Sequence, residues 1–115
     1  MVRAMVYAGL PQDVQVMAKY QVHSNEYGMI IMAVCVGLKV SKADLLGVCR
    51  KRDLVEARQI AFYLLRTLTD LTLEQIGSLF NRAHTTVIYG KEMCEQLLDV
   101  DVAFQKKMYK VKSLL

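Results

Sequence analysis

The chain has 115 residues, 54% of them hydrophobic, with six glycines and one proline, which gives room for one core and few helix breakers and is too apolar for disorder. Its net charge of +4 permits a polyanionic partner without demanding one. No apolar run reaches the roughly 20 residues of a membrane span, and Cys35, Cys49 and Cys94, odd in number and without a CxxC pair, read as reduced residues of a cytoplasmic protein rather than a disulfide framework.

Residues 1–22 are expected to form a helical arm or extension, and residues 23–115 the main domain. In the arm, Met1-Val2-Arg3 and a broken apolar stretch lack a secretory core and cleavage site. Pro11 suits the first turn of a helix running to about Val22, with Val14, Met17 and Tyr20 as a weak apolar stripe. Ser24-Asn25-Glu26 then reads as a helix start, with a capping side chain followed by an acid in the first turn. That helix would bury Ile30, Met32, Val34 and Leu38 and end near Gly37 in a left-handed cap.

Ser41 and Asp44, three apart before Leu45-Leu46, form a variant capping box. Asp53 opens the clearest helix, with Leu54, Ala57, Ala61, Leu64, Leu65 and Leu68 recurring every three or four residues. Thr72 and Gln75 make a capping box for a short helix carrying Leu73, Ile76, Leu79 and Phe80. Asn81-Arg82-Ala83 is a turn. A helix from about His84 places Val87, Cys94, Leu97 and Leu98 inward, Asp99 to Asp101 break it, and a last helix from Val102 turns Met108, Val111 and Leu115 to the core. The expected fold is all-α, a compact bundle of about six helices.

Two helices joined by a short turn are the outline of a helix-turn-helix. The outline is weak evidence, since any bundle offers several such pairs, but its contents are more specific. Leu73, Ile76, Leu79 and Phe80 face inward, and Gly77 permits close helix approach. The second helix begins His84-Thr85-Thr86, small polar residues at the end that normally enters the major groove. Threonine offers a hydroxyl to base edges and a methyl to thymine, histidine donates or accepts, and the free N–H groups of the helix end favour phosphate. A basic segment from Lys39 to Arg58 precedes this motif. The C-terminal lysines, Lys106, Lys107, Lys110 and Lys112, read as solvated surface.

The stretch LLGVCRKRDLVEARQIAFYLLRTLTDLTLEQIGSLFNRAHTTVIYGKEM, Leu45 to Met93, resembles the C-terminal DNA-binding domain of the bacterial replication initiator DnaA. Three patterns carry the likeness: Arg50-Lys51-Arg52 followed by Ala57-Arg58-Gln59, then Leu73-Glu74-Gln75-Ile76-Gly77, then His84-Thr85-Thr86-Val87. The resemblance implies a Trp-repressor-like helical fold and a set of DNA-binding residues. Arg50, Lys51 and Arg52 form the basic loop, with Arg52 in the minor groove. Arg58 would meet phosphate, Thr72 would anchor the backbone, and Arg82 would lie in the motif turn. His84 and Thr85 would read bases, with Thr86 and Lys91 on the backbone.

This sequence departs from the family pattern in two places. Asn81-Arg82-Ala83 is one residue shorter than the family's turn, and Ala83 stands where an aspartate would accept from a cytosine amino group. The 115 residues also contain no GxxxxGK[ST] phosphate loop, so the resemblance is to the DNA-binding domain standing alone, without the ATPase and without a nucleotide.

The function expected is sequence-selective binding of double-stranded DNA at DnaA-box-like sites, in replication initiation or its regulation. A second reading is a degenerate initiator domain acting as a protein-interaction module or transcriptional regulator. Beside double-stranded DNA, a replication protein or a second copy of the chain is a further expected partner. A third, a ligand-gated repressor, has no marked pocket. No metal, cofactor or membrane is expected. Cys35, Cys49, Cys94, His23 and His84 lack zinc spacing, and no nucleophile, base and acid stand together, so the chain is not read as an enzyme.

Overall fold

The computed structural model describes residues 26–115, and the arm expected over residues 1–22 lies outside them. Among the described residues there are six helices and no strand: α1 (Glu26–Leu38), α2 (Lys42–Leu46), α3 (Arg52–Leu68), α4 (Leu73–Leu79), α5 (His84–Val100) and α6 (Val102–Lys112). The all-α expectation is met, and none of these helices is long and apolar enough to cross a membrane.

Local chemistry accounts for most of the boundaries. Ser41 Oγ accepts from the Asp44 N–H at 3.0 Å to start α2. Thr72 and Gln75 form the reciprocal box at the start of α4: the Gln75 N–H donates to Thr72 Oγ1 at 3.1 Å, and the Thr72 N–H to Gln75 Oε1 at 2.9 Å, which satisfies two donors that a helix end leaves open. The break expected over Asp99 to Asp101 is a single residue. The Asp101 N–H closes α5 on the Leu97 carbonyl at 2.8 Å, and its Oδ1 opens α6 by accepting from the Phe104 N–H at 3.1 Å.

The end of α1 corrects the expected cap. No glycine among the described residues has positive φ; the left-handed position is Lys39, at φ 57°. The Val40 N–H then returns to the Cys35 carbonyl at 3.0 Å, the six-to-one bond of a Schellman close. Met32 and Leu38 are only half-buried, whereas Met29, Ile31, Ala33 and Cys35 join Ile30 and Val34 in the interior. A helix apolar on most of its circumference is one that neighbours cover on several sides, and α1 is covered by α3, α6 and α2.

Helix α3 is the centre of the bundle, packed most extensively against α5 and then against α1. Leu54, Ala57, Ala61, Leu64 and Leu65 are buried as expected, and Ile60 and Phe62 with them; Leu68, the last residue of α3, is 50% exposed and departs from the expected stripe. The Phe62 ring meets Phe80 edge to face, centroids 4.8 Å apart. Gly90 of α5 lies against the same ring, and a Cβ there would come within 2.6 Å of Phe62 Cδ2. The absence of a side chain at Gly90 is what lets α5 rest directly on α3. The close approach at Gly77 is to the turn and not to a helix, since a Cβ there would strike the Arg82 carbonyl oxygen.

Candidate nucleic-acid interface

Helix α4, the turn Asn81 to Ala83 and the start of α5 make the helix-turn-helix. Its turn closes tightly on α4: the Gly77 carbonyl accepts from both the Phe80 N–H at 3.1 Å and the Arg82 N–H at 2.8 Å, and Asn81 takes φ 54°. Asparagine tolerates that left-handed conformation better than most residues. Ala83 is the N-cap of α5 and has no side chain to offer. His84, Thr85 and Thr86 are all exposed in the first turn.

The basic loop, residues 47–51, links α2 to α3, with Arg50, Lys51 and Arg52 exposed. Beneath it lies Arg58, and here the structure departs from the expectation of a surface phosphate contact. Arg58 is 6% exposed. Its Nε donates to the Leu45 carbonyl at 2.7 Å, Nη1 to Cys49 at 2.6 Å, and Nη2 to Asp44 at 2.8 Å and Gly47 at 3.0 Å. A guanidinium has five N–H donors, so only one is left. The acceptors include the last carbonyls of α2, where a cation is favoured by the helix dipole. Arg58 thus shapes the loop from below.

Arg82 completes this arrangement from the other side. Its Nη1 donates to the Phe80 carbonyl at 2.8 Å and its Nη2 to the Gly47 carbonyl at 2.6 Å. Two guanidinium groups therefore share one carbonyl oxygen. Burial, and then the neighbouring Arg82 charge, hold Arg58 below its ordinary value, although arginine stays charged.

Loop and motif meet in a groove of about 680 Å³. Arg50, Arg58 and Arg82 line it, with Gln59, Asn81 and Thr86 as further polar groups and Val48, Val55 and Tyr89 among the apolar ones. Gln59 Oε1 is buried with no hydrogen-bond partner among the described residues. Gln59 belongs to the Ala57-Arg58-Gln59 pattern, yet nothing local in the sequence marks a role for it or for the exposed Val48 and Tyr89. Recurrence alone could not flag these, because the groove is made by segments distant in sequence.

The remaining expected residues are placed as follows. Thr72 Oγ1 is exposed and accepts the capping bond, which leaves its own O–H to donate. Arg52 is exposed, with Nε 3.2 Å from Glu56 Oε2. Lys91 is half-buried and paired with Glu95 at 3.1 Å, so a phosphate contact would have to compete with that carboxylate. No three His, Cys, Asp or Glu residues are clustered as metal ligands among the described residues.

A family model described as the bacterial dnaA protein helix-turn-helix matches residues 28–93. The chain belongs to that family. Among curated chromosomal replication initiator proteins DnaA, that of a Synechococcus strain is 35% identical over 96% of this chain, and that of Gloeobacter violaceus 35% identical over its whole length. That of Oleidesulfovibrio alaskensis is 51% identical over 53% of the chain. The matches cover 26%, 28% and 13% of these relatives, so the chain spans about a quarter of the length of those it matches end to end. Within this DnaA-family module, the matched segment contains the loop above Arg58, the turn held by Arg82 and the exposed start of α5.

Proposed function

We propose that this chain binds double-stranded DNA at DnaA-box-like sites, in replication initiation or its regulation. The first turn of α5 enters the major groove and the basic loop reaches the adjacent minor groove. His84 and Thr85 read base edges; Arg50, Lys51, Thr72, Arg82 and Thr86 meet the backbone; Arg52 enters the minor groove, whose width and potential arginine reads well. The observation that carries this reading is the groove in which Arg50 of the loop, Arg82 of the turn and Thr86 of α5 come together. A cationic cleft between two candidate reading elements, in a family of DNA-binding motifs, suits a phosphodiester strand.

The test is duplex binding as a function of salt, followed by selection from a random duplex pool. With three cations on the backbone and Arg52 in the minor groove, log K against log salt should slope at roughly −3 to −4, and selection should enrich one motif. No binding at low salt would overturn the proposal. It would favour instead a protein-interaction module, the reading that Val48, 90% exposed beside the groove, supports.

A further inference from the structure

Among the described residues, Arg52 is the one residue of the basic segment Arg50 to Arg52 whose side chain is tethered by a carboxylate. Its Nε lies 3.2 Å from Glu56 Oε2, one turn further along α3. The Arg52 side chain is 83% exposed, whereas that of Glu56 is 11% exposed. The second oxygen of Glu56, Oε1, accepts from Lys107 Nζ at 2.5 Å, and Lys107 comes from α6, 51 residues away. Asp53 Oδ1 stands 4.0 Å from the same ammonium. Arg52, Glu56 and Lys107 form a chain of charges running from α6 to the first residue of α3, where the basic loop ends.

An exposed ion pair one helical turn apart is ordinarily worth little. This one differs because its carboxylate is largely buried and fixed by a second cation from another helix. The tether also uses only Nε, which leaves all four Nη hydrogens of Arg52 to donate outward. A long arginine side chain gives up substantial rotamer freedom when it settles in a groove, and a partner already holding its Nε removes part of that cost.

We infer that Glu56 and Lys107 are positioning residues for minor-groove reading. Lys107 fixes the Glu56 carboxylate, and the carboxylate aims Arg52. This rests on the minor-groove reading of Arg52 given above. The two roles of Glu56 have opposite signs. Its charge repels phosphate and weakens binding to every duplex, while its hold on Arg52 raises discrimination between duplexes. A merely structural ion pair would leave discrimination unchanged, because the charge of Glu56 and a loosened fold act on all sequences alike.

The experiment compares affinities of the whole chain for an A·T-rich and a G·C-rich duplex of equal length, at one salt concentration. The variants are Arg52→Ala, Glu56→Gln, Lys107→Met and Lys107→Arg, each checked by thermal melting without DNA. Arg52→Ala should abolish the preference for A·T. Glu56→Gln should tighten binding to the G·C-rich duplex yet lower the ratio of affinities by about twofold to tenfold, the worth of one hydrogen bond. Lys107→Met should lower the ratio as well, and Lys107→Arg should keep it. If Arg52→Ala loses the preference while Glu56→Gln or Lys107→Met keeps the wild-type ratio, Arg52 reads the groove unaided and the inference is overturned alone. If Arg52→Ala keeps the preference, the minor-groove reading falls and the inference with it.

Discussion

The Arg82 guanidinium donates to the Gly47 carbonyl at 2.6 Å across 35 positions of sequence. That bond joins the motif turn to the basic loop, the two segments expected to approach different grooves of one duplex. Because Arg58 holds the same carbonyl at 3.0 Å, the loop is fixed by two cations that come from different helical units.

Arg58→Lys tests whether this arginine is a shaping residue or a phosphate contact. Lysine keeps the charge but cannot reproduce a planar fork serving four carbonyls. Buried acceptors left without a donor cost about 1–3 kcal/mol. The variant should melt lower by that amount, and amide exchange over residues 44–49 should accelerate. Unchanged melting with weakened DNA binding would return Arg58 to a direct phosphate role.

Ala83→Asp probes the uncapped start of α5. An aspartate N-cap accepts from a first-turn N–H and sits favourably at the positive end of the helix, and replacing alanine there commonly gains about 1 kcal/mol. A calorimetric scan should show a higher Tm. Selection from a random pool should then enrich sites with a cytosine opposite the new carboxylate. A Tm at or below that of the parent chain would refute the capping argument.

Thr85→Ala should separate base reading from anchoring. Loss of a base contact costs about 1–3 kcal/mol at the selected site and little at a random duplex. The ratio of specific to nonspecific affinity should therefore fall by roughly fivefold to a hundredfold, with melting unchanged since Thr85 is exposed. An intact ratio would show that α5 does not read sequence at this position.

The three thiols should differ in reactivity. Burial, with Glu95 adding to it, pushes Cys94 up to about 12, and burial raises Cys35, whereas Cys49 is exposed in the loop. Iodoacetamide at pH 8 should label Cys49 alone in the native protein, and bound duplex should protect it. The linkage has a definite sign. Above the ordinary thiol value of 9.0 the unfolded chain loses protons that folded Cys94 keeps, so stability falls as pH rises from about 9 to 12, by up to about 1.4 kcal/mol per unit. Urea midpoints at pH 8 and pH 10.5 should show that fall, and Cys94→Ala should reduce it.

The helices were legible because their signals are local: the Thr72–Gln75 box, the Ser41 cap and the recurrence from Leu54 to Leu65 need no knowledge of neighbours. The burial of Arg58 also has a local signal. Leu54, Arg58, Ala61 and Leu65 are spaced by four, three and four, which puts the arginine on the inward stripe and argues for burial. Phe104, fully buried, likewise stands four residues before the expected core Met108. The bridge between Lys107 and Glu56 and the groove itself could not be read this way, because each depends on how distant segments pack. The placement of Gly90 under Phe62 belongs with them, since a close approach has no period.

The clip that Arg58 places on residues 44–49 bears on the thermodynamics of association. A loop whose carbonyls are already satisfied has little disorder left to surrender when a duplex arrives. Its ordering was completed at folding, so the entropic toll that burdens segments that fold only on their partners falls largely outside the binding step. Calorimetric titration with duplex should then show the modest heat-capacity change of surfaces being covered, without the larger change that accompanies coupled folding.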